Sequence, residues 1–230
     1  MCRIIRLSMC LFNVYVVRDE NAFVLVDTGV APSLPLLRAG LRRHGIRPGS
    51  ITLIILTHCH YDHAGGVRWM KQHSGAQVLV HAGEAAYLQA GRMPLPPGTA
   101  AVSRRVVHTA TTLFPGAGGY DAADPDLLVD GQYDLAPHGL PALVLPTPGH
   151  TAGSLSVVIG RQAIVGDLMY NRGPVSVFPP FAADEQAVMS SWVELLRMGC
   201  REFFPGHGRP IGARRLRRDL ALCRSRRLAS

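Results

Sequence analysis

No apolar run in this 230-residue chain approaches the roughly 20 residues that a helix needs to cross a bilayer. That excludes a membrane-spanning protein of the helical kind. The opening residues, MCRIIRL, are too short and too interrupted for a signal-peptide core and run straight into a strand pattern. The expected compartment is therefore the cytoplasm. Cysteine is scarce: Cys2, Cys10, Cys59, Cys200 and Cys223 are odd in number, and their spacings match no zinc finger or ribbon. A disulfide framework is thereby excluded, and reduced thiols are expected. Acid is scarce at one end. Residues 209–230 hold eight arginines against the single acid Asp219, which accounts for +7 of the net +8. The rest of the chain is close to neutral, so the charge belongs to a basic C-terminal helix. Arg214, Arg215, Arg217 and Arg218 alternate there with Leu216, Leu220 and Leu222, as on an amphipathic surface helix. Nucleic acid is not the expected partner.

What is present is a chain long enough for one sizeable core, with 47% hydrophobic residues. Residues 12–18 and 22–27 read as a hairpin around 19–21. Residues 33–44 have helical spacing, with Gly45 as the stop. Residues 51–56 read as a buried strand, 66–73 as a short helix, 77–81 as a strand and 83–89 as another short helix. Residues 127–135, 142–145, 154–159, 162–165 and 202–204 read as strands, and 185–198 as a helix. Residues 168–183 read as a loop. Between them, 92–126 is rich in Pro, Gly and Ala and reads as an insertion that could act as a substrate loop. Periodicity by itself gives mixed α and β.

The densest chemistry lies in THCHYDHAGG, residues 57–66. His58 and His60 are two apart on an extended segment, so they point to one side. Asp62 and His63 follow where the chain turns into a helix near Gly65. Imidazoles with a carboxylate suit zinc first, then iron or manganese. Three later segments share the pattern of a His or Asp beside glycine at the end of an apolar run: Gly149-His150, Gly166-Asp167 and Gly206-His207. Glycine lets the backbone turn sharply and bring a ligand close to a metal. Cys59 should face away from that metal, into the core. His44, His73, His81, His108 and His138 fit no ligand position.

The order H-x-H-x-D-H, His, Asp, His resembles the metallo-β-lactamase-fold superfamily of metallohydrolases, over roughly residues 27–207. The resemblance implies a single domain, 1–230, with an αββα four-layer sandwich. It implies that His58, His60 and His150 hold one divalent ion, and Asp62, His63 and His207 a second. Asp167 bridges the two, and Asp27 supports the site by hydrogen bonding. The ions are expected to be zinc, with iron, manganese and cobalt as alternatives. A hydroxide shared by the two ions would attack a carbonyl carbon. Asp62 could then pass a proton to the leaving group.

Within that family, the bridging aspartate and the missing leader argue against a β-lactamase. Tyr170, three residues after Asp167, resembles the tyrosine that faces the substrate carbonyl in N-acyl-homoserine lactonases. Residues 171–174 depart from the glyoxalase II and persulfide dioxygenase patterns. The chain also ends about 23 residues after His207, without room for a glutathione-binding helical domain. The expected activity is hydrolysis of a small-molecule carboxylic ester, a lactone first and a thioester next. A β-lactamase, an iron persulfide dioxygenase, a phosphodiesterase or nuclease, and a metal-holding protein without turnover are the alternatives. The apolar loop 174–181 could line an acyl pocket or form a homodimer contact.

Overall fold

A computed structural model of the chain describes residues 2–20, 22–113, 118–173 and 176–228. Six strands form the first sheet, in sequence order: β1 (Arg3–Ser8), β2 (Asn13–Asp19), β3 (Ala22–Val26), β4 (Leu53–Ile55), β5 (Gln77–His81) and β6 (Leu127–Val129). The first three pair antiparallel; β3 to β6 run parallel. The second sheet contains β7 (Tyr133–Asp134), β8 (Leu143–Pro146), β9 (Leu155–Ile159), β10 (Gln162–Asn171), β11 (Glu202–Gly208) and β12 (Ile211–Gly212). Only β10 and β11 are parallel there. The helices are α1 (Leu34–Arg43), α2 (Tyr61–Ala64), α3 (Val67–Ser74), α4 (Ala85–Ala90), α5 (Ala101–Leu113), α6 (Glu185–Arg197) and α7 (Ala213–Leu228).

The two-residue period of a strand sorts side chains into separate cores. In β2, Val14 and Val16 enter a layer with Leu37 and Leu41 of α1 and Met70 of α3, while Tyr15 and Val17 face the opposite sheet. In β4, Ile54 takes the helix side and Leu53 and Ile55 the inter-sheet side. The second sheet divides likewise. Leu155, Val157 and Ile164 meet the first sheet, whereas Ala163 and Val165 meet Trp192 of α6 and Leu216 and Leu220 of α7. Three apolar layers between four structural ones make the αββα sandwich. Asp184 caps α6, its carboxylate accepting from the backbone N–H of Gln186 at 2.8 Å and Ala187 at 3.0 Å.

Several boundaries differ from the sequence reading. Residues 127–135 are two short strands in different sheets, because the chain crosses over at Asp130 and Gly131. β10 continues to Asn171, and β11 to Gly208, where the loop and the turn were expected. Long-range parallel pairing holds them, Tyr170 opposite His207 and Asn171 opposite Gly208, with register shifts on the way. The insertion carries helix α5, which leaves Val102, Val106 and Leu113 exposed. The basic helix begins at Ala213 rather than at 209, and its Leu222 is exposed while Leu216 and Leu220 are buried. Val177 is buried and Phe178 packs edge-on against Trp192, so these two residues belong to the core rather than to an open pocket. Asn21 of the expected hairpin turn, Pro174 and Val175 of the apolar loop, and residues 114–117 of the insertion lie outside the described residues. No helix among the described residues is long and apolar enough to cross a membrane.

Candidate metal centre

The candidate ligands converge at one edge of the sandwich. His58 and His60 leave the end of β4, and Asp62 and His63 follow on the single turn of α2. His150 lies in the turn after β8. Asp167 and His207 sit within β10 and β11, whose parallel pairing puts them at the same end. Glycine makes this approach possible. A Cβ on Gly206 would land on Asp167 Oδ1 and on His63 Cε1, so no other residue fits between β11 and the cluster.

Three sets of donor atoms each fall within 4.8 Å of one another: His58, His60 and His150; His58, His63 and Asp167; and Asp62, His63 and His207. Asp167 lies between the groups. Its Oδ1 is 3.3 Å from His63 Nε2, and its Oδ2 is 3.3 Å from His207 Nε2 and 3.8 Å from His150 Nε2. Asp62 Oδ2 is 3.2 Å from His207 Nε2.

The outer nitrogen of every imidazole already has a partner. His58 Nδ1 meets Thr57 Oγ1 at 3.1 Å, His60 Nε2 the Pro94 carbonyl at 3.0 Å, and His63 Nδ1 the Asp27 carboxylate at 2.8 Å. His150 Nδ1 meets the Phe181 carbonyl at 2.8 Å, and His207 Nδ1 the Leu11 carbonyl at 2.8 Å. Carbonyl and carboxylate oxygens only accept, so the proton sits on the outer nitrogen. Thr57 gives its own hydroxyl proton to Asp27 at 2.9 Å, so it too accepts, from His58. The inner nitrogens of His58, His60 and His150 then present lone pairs to one small volume, and those of His63 and His207 face the same volume. His60 Nδ1 and His150 Nε2 stand 3.0 Å apart, lone pair to lone pair. His58 Nε2, His63 Nε2 and Asp167 Oδ1 are buried without a hydrogen-bond partner. Buried acceptors facing one another are costly unless a cation satisfies them. The donor set fits divalent metal.

Electrostatics divides the cluster in two. Burial and the neighbouring imidazoles hold His58 well below its usual range, burial and His150 bring His60 to about 4, and burial lowers His150. These three are neutral at neutral pH, the form in which an imidazole can bind a metal. In the other half burial also disfavours charge, but carboxylates outweigh it. Asp167, Asp27 and Asp62 raise His63 well above its usual value, and Asp167 and Asp62 raise His207 to about 10. Burial opposes ionisation of Asp62 and Asp167 as well, yet the facing histidines lower both. This half of the cluster thus favours positive charge. His58, His60, His63 and His150 are buried, whereas Asp62, Asp167 and His207 keep 19%, 13% and 12% of their side chains exposed. The centre opens on that side. Tyr170 is half-buried there, its ring 5.2 Å from that of His207.

Asp27 is buried beneath the centre in a left-handed conformation, φ 63°. It binds His63 and also accepts from the Thr57 N–H at 2.8 Å. Thr57 and Glu84 carried no sequence signal. Buried Glu84 accepts from the Cys59 N–H at 2.6 Å and from the Thr151 hydroxyl, so one carboxylate ties the His58–His60 loop to the His150 turn. The insertion contributes the Pro94 carbonyl and the Tyr120 hydroxyl, which donates to the Cys59 carbonyl at 2.9 Å. It is pinned to residues 179–182 through Thr99 and Pro97. Cys59 faces the core as expected. The other histidines lie elsewhere: His73 stacks on Trp69, His81 Nδ1 accepts from the Gly83 N–H, and His138 bonds Tyr133.

Residues 10–207 match the model of the metallo-beta-lactamase superfamily. The chain belongs to this family. It is 25% identical to the probable metallo-hydrolase YflN of Bacillus subtilis over 93% of this chain and 87% of that protein. It is 29% identical to the acyl-coenzyme A thioesterase MBLAC2 of Bos taurus over 89% of this chain and 75% of that one. Among solved structures, a metallo-β-lactamase of Cronobacter sakazakii superposes with a TM-score of 0.70 at 19% identity, over 98% and 91% of the two chains. That likeness bears on the fold alone. With these relatives, the superfamily member described here is a metal-dependent hydrolase.

Proposed function

We propose that the chain hydrolyses an activated carboxylic ester, a lactone or a thioester, with two divalent ions, zinc first by donor chemistry. The observation that carries this reading is the set of five inward imidazole nitrogens whose outer nitrogens are all engaged. His58, His60 and His150 would hold one ion, and Asp62, His63 and His207 the other, with Asp167 shared. Two such ions supply Lewis acidity and lower the pKa of water towards neutrality.

The protein's own groups orient the substrate and handle its charge. Tyr170 stands on the open side beside His207, where its hydroxyl can donate to the oxygen that becomes negative as the carbonyl is attacked. Burial raises the pKa of this phenol, which keeps the proton available at neutral pH. This tyrosine favours a lactone or ester carbonyl. The likeness to a relative named as an acyl-coenzyme A thioesterase favours a thioester. Asp62 is held ionised by His63 and His207 against the opposing effect of burial, which suits a ligand better than a proton donor. The free thiols fit work in the cytoplasm.

The test is a substrate panel of homoserine lactones, acyl thioesters, a β-lactam and a phosphodiester on metal-replete protein. Turnover of a lactone or thioester, lost on chelation and restored by zinc, cobalt or manganese, is expected. Turnover confined to the β-lactam or phosphodiester, or iron-dependent oxygen uptake with a persulfide, would overturn the proposal.

A further inference from the structure

Beside the centre lies a second concave site, a cavity of about 360 Å³ lined by Arg6, Asn13, Asn171, Arg172 and Arg209, among others, with no acidic residue in its wall. Its guanidinium groups come from β1, the end of β10 and the turn after β11, so both sheets build it. Two of them are anchored by a backbone bond: Arg6 Nη1 donates to the Gly208 carbonyl at 3.3 Å and Arg172 Nη1 to the Leu11 carbonyl at 3.0 Å. Each guanidinium has five N–H donors, so most stay available. None of the three is in an ion pair with a carboxylate among the described residues.

The frame is braced. Asn13 Nδ2 donates to the Pro205 and Gly208 carbonyls at 3.0 and 2.9 Å. Asn171 Nδ2 donates to the Arg209 carbonyl at 2.8 Å, and its Oδ1 accepts from Arg215 at 2.9 Å. Three like charges gathered around one cavity repel one another, and an anion seated between them removes that cost. Guanidinium groups in this arrangement match phosphate oxygens in pairs. The cavity also adjoins the centre. The Leu11 carbonyl that holds Arg172 also holds His207, Gly208 follows His207, and Arg172 is two residues from Tyr170.

We infer that Arg6, Arg172 and Arg209 bind a phosphate group on the substrate's leaving portion, so that the acyl group is presented to the centre as a thioester of a phosphorylated carrier. This rests on the ester-hydrolase reading above and narrows its substrate class.

Two measurements test it on the metal-replete full chain. The first is calorimetric binding of adenosine 3′,5′-bisphosphate, with inorganic phosphate alongside, to the native protein and to the Arg172→Gln/Arg209→Gln variant. The bisphosphate should bind, more weakly as salt rises, and the variant should lose at least tenfold in affinity. No binding, an unchanged variant, or equal affinity for inorganic phosphate would overturn the inference. The second compares one acyl group on coenzyme A and on N-acetylcysteamine, the same thioester with and without phosphates. The variant should lose at least tenfold in kcat/KM on the coenzyme A ester and nothing on the other. Equal loss on both would overturn the inference. If neither thioester is cleaved, the thioester reading fails, and the binding experiment still decides whether the cavity takes a carrier's phosphate.

Discussion

Replacing Asp27 with asparagine should loosen the metal centre without touching it. Asp27 is buried, and its carboxylate takes three hydrogen bonds, from His63 Nδ1–H and the Thr57 N–H at 2.8 Å and from the Thr57 hydroxyl at 2.9 Å. Asparagine has nearly the same shape and tolerates the left-handed backbone at φ 63°. It has only one accepting oxygen, however. Its amide must turn an N–H towards either His63 or Thr57, where a donor already points. One charge-assisted bond of about 1.5–3 kcal/mol is lost. Thr57 also steadies His58, so the loss reaches ligands in both halves of the cluster. Since about 1.4 kcal/mol is tenfold in a binding constant, metal affinity should fall about 10- to 100-fold, the usual range for a partner of a liganding histidine. Competition with a chromophoric chelator measures this directly, and circular dichroism verifies that the fold persists. Affinity within a factor of two of the native protein would refute the argument that the outer hydrogen bonds orient these imidazoles.

Asp167→Ala should lose metal and activity together, because Asp167 lies within 4 Å of ligands in both halves; full activity would sink the two-ion arrangement. Tyr170→Phe should keep its metal and lose roughly one to three orders of magnitude in turnover, as expected for one oxyanion donor, and an unchanged rate would remove the tyrosine from the chemistry. Gly206→Ala should impair metal uptake, since the added methyl meets Asp167 and His63; a metal titration identical to native would contradict that contact. In the metal-free chain, His207 near 10 adds stability that is complete below its ordinary value of 6.5 and lost as pH rises towards 10. His60 near 4 acts the other way, losing stability as pH falls from 6.5 towards 4. The melting temperature of metal-free protein should therefore peak between these windows, and a flat profile from pH 7 to 10 would contradict the charged His207.

The cluster was legible in the sequence because each group of candidate ligands follows a short apolar run and has glycine close by, a local pattern that a short window contains. His58 and His60 follow a short apolar strand, and Gly149, Gly166 and Gly206 mark the other approaches. The four layers were reached through the family resemblance; alternation in β2 or β4 shows two buried faces but not what covers them. The outer partners were illegible because most are backbone carbonyls, Leu11, Pro94 and Phe181, brought in by segments up to 196 residues away. Glu84 sits in an ordinary helical run, and only the tertiary fold sets it under two ligand loops. The lengths of β10 and β11 depend on pairing with each other, which no local window contains. Helix α5 was hidden because its apolar residues Val102, Val106 and Leu113 remain exposed rather than forming a buried stripe.

The most direct test of the account is the metal content of protein purified without added metal, by elemental analysis against protein concentration. About two zinc, cobalt or manganese ions per chain are predicted, filling the sets around His58, His60 and His150 and around Asp62, His63 and His207. About one iron per chain, or a chain that takes up no metal when supplied with it, would contradict the two-ion hydrolase.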